Sequence, residues 1–272
     1  MSKPTRQNRF AKRSLGQNFL ADPNIIRKII DSLELSVNDT VVEIGPGRGA
    51  LTEQLVASGA NVIAIELDRE LVPWLREKFG EDDNILIVEA NVLEVDLGSL
   101  LNETSHVAVH APHSAKLVGN LPYYISTSIL QKLIRERQLF SRLVLMFQKE
   151  VVERIAAKPG SSDRGYLSVL AESAFEIEKL FDVSPGSFRP APKVWSSVVR
   201  LFPKNVGPLD DERSLRLLSA AFAQKRKTIL NNLKAFSPEA GTALADAGLD
   251  PSRRAESLTL EEWGSLFSSF AR

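Results

Sequence analysis

The sequence predicts an α/β protein: a parallel sheet covered by helices on both faces, followed by a small all-helical domain. Three observations predict it. Short apolar runs alternate with helical-period segments from residue 40 to residue 147, the first run enters a glycine-rich turn, and the pattern becomes purely helical after Pro203-Lys-Asn-Val-Gly-Pro208. Strands buried on both faces read as unbroken apolar runs, and strand–helix alternation implies parallel crossovers. In such sheets ligands bind beyond the C-terminal strand ends.

Taken in order, residues 1–14 are basic and polar without apolar period, so a flexible basic arm is expected there. Asp22-Pro23 reads as a helix start, with a capping Asp and Pro at the first helical position. Ile25, Ile26, Ile29, Ile30 and Leu33 follow at helical spacing. Strands are expected at Val41–Ile44, Val62–Ile65, Ile85–Val88, Lys116–Gly119 and Leu143–Phe147, and helices at Leu51–Ala57, Glu70–Phe79 and Ser126–Arg137. Beyond the linker, helices are expected at Leu215–Phe222, Thr228–Phe236, Ala240–Ala247 and Leu260–Phe270. The expected domains are therefore the arm (1–14), the sheet domain (15–205) and the helical domain (206–272).

Of the 272 residues, 43% are hydrophobic and 25% charged, ordinary values that provide for a sizeable core and exclude disorder as the main state. The chain has no Cys, which excludes disulfides, thiolate nucleophiles and Cys-bound zinc and fits a reducing compartment. Its longest unbroken apolar stretch is Leu143–Phe147, far short of the ~20 residues of a membrane span, and its basic start lacks an apolar signal core. A cytoplasmic, non-membrane protein is expected. Lys plus Arg and Asp plus Glu balance at 34 each. That neutrality is a cancellation: residues 1–30 carry a net +6, residues 31–100 a net −11 and residues 101–272 a net +5. Sign asymmetry of this kind points to charged partners.

The glycine-rich turn reads Glu43-Ile-Gly45-Pro-Gly47-Arg-Gly49. Glycines at a strand-to-helix turn let the backbone approach a ligand closely. The dinucleotide fingerprint needs its third Gly five residues after the first, and here it comes at four. Glu66, 21 residues after Gly45 at the end of the second strand, suits a carboxylate accepting from ribose hydroxyls. Glycines with a ribose-reading acid, without dinucleotide spacing, favour S-adenosylmethionine as cofactor. Glu43 and Glu66 are expected to meet its cationic group.

A strand ends in Asn120-Leu121-Pro122-Tyr123. This tetrapeptide resembles the motif of methyltransferases acting on exocyclic nitrogens, and its chemistry can be derived. An aromatic amine is a poor nucleophile because its lone pair is delocalised into the ring. The Asn120 side-chain oxygen can accept one N–H, and the Leu121 or Pro122 carbonyl the other, which draws the nitrogen towards tetrahedral geometry. Tyr123 can stack on the base, an interaction worth ~1–3 kcal/mol. Neither a strong general base nor a metal is required.

Together with Leu15-Gly-Gln-Asn-Phe-Leu20, Ile65-Glu66, Phe188-Arg-Pro-Ala-Pro-Lys-Val194, Ser197-Val-Val-Arg200, Ala221-Phe-Ala-Gln-Lys-Arg-Lys-Thr228 and Arg254-Ala-Glu256, these motifs make the chain resemble the bacterial small-subunit (16S) ribosomal RNA adenine dimethyltransferases from Arg13 to Phe270. The resemblance implies a Rossmann-like S-adenosylmethionine-dependent methyltransferase sheet. It also implies dimethylation of the 6-amino groups of two adjacent adenosines, in a hairpin loop near the 3′ end of small-subunit rRNA, within an assembling 30S-type subunit. By the same resemblance Asn18, Leu20, Gly45, Gly47, Glu66, Asn91 and Asn120 line the cofactor site, and Phe188 stacks on the target base opposite Tyr123. Position 91 departs from the family, which usually has Asp there to read the cofactor's adenine. Asn91→Asp is therefore expected to tighten cofactor binding, the competing reading being that Asn91 only caps a turn.

The remaining signals are weaker. His106, His110 and His113 have spacings open to a metal, but Pro112 breaks any helix there and no acid or Cys accompanies them, so no metal is expected. Lys225, Arg226, Lys227, Arg253 and Arg254 are expected to contact RNA phosphates, although exposed helix faces also explain such clusters. A monomer is expected. Two rival readings stay open: an antibiotic-resistance methyltransferase of large-subunit rRNA, and a non-catalytic assembly or transcription factor paralogue.

Overall fold

The structure is a computed structural model, and it describes residues 12, 16–37, 39–104, 114–205, 209 and 211–271. The expected flexible arm, apart from Lys12, and the three His residues lie outside the described residues.

The chain opens with a two-residue strand β1 (Phe19–Leu20) and helix α1 (Pro23–Leu33). Asp22 caps α1 as expected, its Oδ1 accepting from the backbone N–H of Asn24 at 2.9 Å. Alternation follows: β2 (Thr40–Ile44), α2 (Ala50–Ala57), β3 (Asn61–Glu66), α3 (Leu71–Phe79), β4 (Ile85–Glu89), α4 (Leu97–Thr104), β5 (Ala115–Asn120), α5 (Ser126–Arg135) and β6 (Phe140–Gln148). Next come α6 (Lys149–Ile155), α7 (Tyr166–Ala174), β7 (Phe175–Val183), β8 (Phe188–Arg189) and β9 (Ser196–Pro203).

Among the described residues, seven strands form one sheet in the order β4-β3-β2-β5-β6-β9-β7, while β1 and β8 pair separately. The strands from β2 to β6 pair in parallel. The all-parallel expectation needs correcting at the far side, where β9 pairs antiparallel to β6. Strand order reverses between β2 and β5, the switch point at which ligands bind in open sheets. Ile44, Glu66 and Asn120 therefore end their strands on the same edge.

By its internal packing the chain divides into two compact units, Met1–Val152 with Glu178–Pro203, and Glu153–Ile177 with Lys204–Arg272. The expected boundary after residue 205 thus misplaces residues 153–177, which pack with the helical unit. The helical unit contains α7 and α8 (Glu212–Ala221), α9 (Ile229–Leu233), α10 (Ala240–Asp246) and α11 (Leu260–Ala271). Its core is built on fully buried Trp263, stacked on Phe222 and Phe267 with centroids 5.8 and 5.6 Å away. Among the described residues, no helix is long and apolar enough to cross a membrane.

Candidate active site

At the C-terminal edge of the sheet a cavity opens between β2, β3 and β5. Its lining comes from the segment before β1 (Gly16, Gln17, Asn18), the glycine turn (Gly45, Gly47), the end of β3 (Glu66, Leu67), the turn after β4 (Ala90, Asn91, Val92) and Asn120 to Ile125. Nine of the predicted residues meet here: Asn18, Gly45, Gly47, Glu66, Asn91, Asn120, Leu121, Pro122 and Tyr123.

The turn is shaped by backbone that only glycine adopts readily. Gly45 has φ +68°, and a Cβ built on it meets nothing within 4 Å. Gly47 has φ +57°, and a Cβ there would stand 2.9 Å from the Phe19 ring. Gly47 also donates its N–H to Glu66 Oε2 at 3.0 Å, while Asp68 N–H donates to Oε1 at 2.9 Å. The carboxylate is thereby fixed, with lone pairs remaining for a ribose. Burial raises the Glu66 pKa, a shift opposed by the two N–H donors and reinforced by the Asp68 charge.

Glu43 does not reach the cavity, which corrects its expected role toward a cationic ligand. It lies beneath the turn, 1% exposed, and accepts from Thr52 Oγ1 at 2.6 Å. Burial pushes its pKa up to about 7, against the Thr52 bond that lowers it.

Asn120 donates Nδ2–H to the Asn18 carbonyl at 3.0 Å. That bond sets the amide orientation and leaves Oδ1 as an acceptor at the cavity wall. The next two carbonyls differ. Pro122 O already accepts from Ile125 N at 3.2 Å, whereas Leu121 O has no hydrogen-bond partner among the described residues. Tyr123 hydroxyl and Ser196 Oγ are 2.6 Å apart, so the ring is held at its far end. Burial raises the Tyr123 pKa and keeps the phenol neutral.

Two expected site residues lie elsewhere. Leu20 is buried in the core and outside the cavity lining. Phe188 is 0% exposed, because β8 pairs with β1 through Leu20 opposite Phe188 and turns the ring inward. A base cannot stack on it in this conformation. Asn91 combines both readings: it lines the cavity, yet its Oδ1 accepts from Leu93 N at 3.1 Å and its Nδ2 donates to Glu94 at 2.8 Å. In the helical unit Lys225, Arg226 and Lys227 are exposed on the turn between α8 and α9 rather than on a helix face. Arg253, by contrast, is engaged internally, with bonds to both Glu262 oxygens at 2.5 and 3.0 Å and to the Ser257 carbonyl at 2.7 Å. It is corrected to a structural residue, while Arg254 remains exposed.

Sequence reasoning missed Lys12, Gln17 and Asp68. Asp68 is 2% exposed, takes Lys12 Nζ at 2.6 Å and Gln17 Nε2 at 2.9 Å, and so ties the segment before β1 to the end of β3. Burial raises its pKa, but the ammonium and amide outweigh that and hold it below the usual range. The spacing Glu66-Leu-Asp68 was the available signal.

A family model described as "Ribosomal RNA adenine dimethylase" matches residues 8–272. The chain belongs to the ribosomal RNA adenine dimethylase family. As a member it is an rRNA adenine dimethyltransferase that takes its methyl group from S-adenosylmethionine. It is 42% identical over 264 residues to "Ribosomal RNA small subunit methyltransferase A" of Geobacter metallireducens, covering 94% of each chain. The protein of that name from Acidobacterium capsulatum is 43% identical over 263 residues, covering 94% of this chain and 90% of that one. Among solved structures, a dimethyladenosine transferase from Plasmodium falciparum superposes with a TM-score of 0.76 at 26% identity, covering 93% of this chain and 97% of that one. The 23S rRNA methyltransferase ErmE gives a TM-score of 0.66 at 27% identity, covering 94% of this chain and all of that one. For the adenine dimethylase family the cavity has suitable chemistry: an open glycine backbone, an oriented carboxylate and an oriented amide oxygen.

Proposed function

We propose that this enzyme dimethylates the 6-amino groups of two adjacent adenosines, in a hairpin loop near the 3′ end of small-subunit rRNA, during assembly of the subunit. The observation that carries the chemistry is the Asn120 amide, oriented by Asn18 so that its oxygen serves as acceptor at the cavity. Gly45, Gly47 and Glu66 would hold the cofactor, Glu66 through the ribose hydroxyls and Asn91 near the adenine. S-adenosylmethionine, when bound, supplies an electrophilic methyl group on a sulfonium.

Asn120 Oδ1 accepts one N–H of the target amine, and the Leu121 carbonyl accepts the other. The pair localises the nitrogen lone pair and aims it at the methyl carbon. The bound cofactor would give up its methyl group to that nitrogen, the bonding electrons staying with its sulfur. The nitrogen, now positively charged, loses a proton to water. Tyr123, neutral and held by Ser196, stacks on the base and fixes its approach. A base taken out of its stack and held against an aromatic ring is the usual arrangement for base-modifying enzymes.

The names of the most similar relatives support the small subunit over the large as substrate. An rRNA substrate supports a cytoplasmic location. Labelled methyl transfer tests the reading: under-methylated small subunits should accept label from the wild-type enzyme. Asn120→Ala should lower the rate by about 10²-fold or more, the scale of losing a transition-state hydrogen bond. Full incorporation by Asn120→Ala would overturn the mechanism, and label entering only large-subunit rRNA would overturn the substrate.

A further inference from the structure

Tyr124 and Trp195 are the exposed aromatic side chains among the described residues, at 57% and 51%. The topology places both at one edge of the sheet. β5 and β6 run parallel and end at Asn120 and Gln148. β9 runs back antiparallel from Ser196, which stands opposite Gln148. Trp195, one residue before β9, is therefore on the edge that carries Asn120 to Tyr124. Its backbone is fixed there, because its carbonyl accepts from Lys149 N–H at 2.9 Å. The 2.6 Å contact from Tyr123 to Ser196 joins the two segments, and Tyr124 and Trp195 are the chain neighbours of that joined pair.

Cations accompany the rings. Lys193 is exposed and makes no ion pair among the described residues. Arg189 is exposed and donates only to the carbonyls of Gly186 and Phe188, so its charge is not neutralised. Val194 adds exposed apolar surface between the cation and the ring of Trp195. Single exposed apolar side chains are ordinary, but grouped exposed apolar surface marks a binding site. Flat rings interleaved with unpaired cations suit unpaired nucleotides, whose bases stack and whose phosphates are anionic.

We infer that Tyr124 and Trp195 form a stacking platform for the unpaired nucleotides flanking the target adenosine, with Lys193 and Arg189 meeting the adjoining phosphates. The inference rests on the proposed RNA substrate and adds positioning residues to it. With Phe188 inside the core, Tyr124 at the cavity and Trp195 on the same sheet edge are the exposed rings that a single-stranded loop can reach. Stacking at a flanking base acts on binding of RNA rather than on the methyl-transfer step.

Steady-state methyl transfer into under-methylated small subunits tests it. Trp195→Ala should raise KM for the subunits about tenfold, the scale of removing one base stack, with kcat within about twofold of wild type. Its affinity for S-adenosylmethionine and its Tm should match wild type, since the side chain is exposed and outside the cofactor cavity. Trp195→Phe should restore KM, and Trp195→Leu should not. A second measurement uses oligo(A): it should quench tryptophan fluorescence in the wild type and not in Trp195→Phe, where Trp74 and Trp263 remain. An unchanged KM in Trp195→Ala, or equal rescue by Leu and Phe, overturns the platform. If wild type transfers no label at all, the substrate assignment fails instead.

Discussion

Asn91→Asp alone is expected to leave cofactor affinity no better than wild type, although position 91 suggests a gain from the sequence. The Asn91 amide donates to Glu94, and a carboxylate in its place would lose that bond and face a like charge. Asn91→Asp combined with Glu94→Gln removes the repulsion and should tighten S-adenosylmethionine by about fivefold, the gain of about 1 kcal/mol from a charged in place of a neutral acceptor. Calorimetry on the four members of the cycle decides this, and tighter binding by the single variant refutes the coupling. Glu43 makes a second test at the same scale. Its pKa is raised from the ordinary 4.5 to about 7, so the folded chain binds one more proton than the unfolded chain between those values. Its contribution therefore falls as pH rises through that window and is least favourable above pH 7. Glu43→Gln keeps an acceptor for Thr52 and removes the charge. Its Tm should exceed wild type by about 2–4 °C at pH 8 and by little near pH 5, a Tm gain larger at the lower pH being the contrary result. Asn120 and Glu66 were legible from sequence because strand ends and local motifs position them. Phe188 was misjudged because its burial depends on pairing with β1, about 170 residues away in the chain.

Elements were legible where local pattern decides them. β2, β3, β5 and β6 are apolar runs largely buried on both sides, and the edge strand β4 is an apolar run with Leu86 exposed; their parallel pairing follows from the alternation with helices. β7 escaped because it is amphipathic and charged, reading Phe-Glu-Ile-Glu-Lys-Leu-Phe-Asp-Val over Phe175–Val183. β9 begins behind a proline-rich segment that masks it. The helical unit shows why basic clusters need structure to interpret. Arg253 bridges the turn at Ala255–Ser257 to the start of α11, with Glu262 held below its usual pKa first by that bond. The exposed run Lys225–Lys227 has no such internal duty. Arg253→Ala should lower Tm by about 2–4 °C, with the salt dependence of RNA binding unchanged. Replacing Lys225, Arg226 and Lys227 by Ala should leave Tm near wild type. It should also flatten the slope of log affinity against log salt by about 0.7–0.9 for each phosphate no longer neutralised. Thermal melts and filter binding across a salt series separate the two, and an RNA defect in Arg253→Ala without loss of Tm would return that residue to the interface.

For the molecule as a whole, the zero net charge conceals a division between binding a nucleoside cofactor and binding a polyanion. The −11 of residues 31–100 surrounds the glycine turn and the end of β3, while the basic excess lies in the N-terminal thirty residues and beyond residue 100. Lys12 stands at the border between these functions. Residues 1–11 contribute three cations and no acid, whereas the Lys12 ammonium is bound to Asp68 and shares it with Gln17 of the cavity lining. Lys12 further receives its own backbone support from Gln17, whose Oε1 accepts from Lys12 N at 2.8 Å. Asp68 N–H in turn fixes Glu66, so the latch continues into the cofactor site. Deleting residues 1–11 should therefore weaken RNA binding and reduce its salt slope by the share of up to about three phosphates at 0.7–0.9 each, with cofactor affinity unchanged. Adding Lys12→Met to that deletion should weaken S-adenosylmethionine as well, because Gln17 and the Glu66 carboxylate lose a fixed neighbour. Calorimetry with the cofactor and salt-dependent RNA binding on both variants make the comparison. Equal loss of both ligands in the shorter deletion would show that charge along this chain is not divided between two partners, and that Lys12 is not the residue joining them.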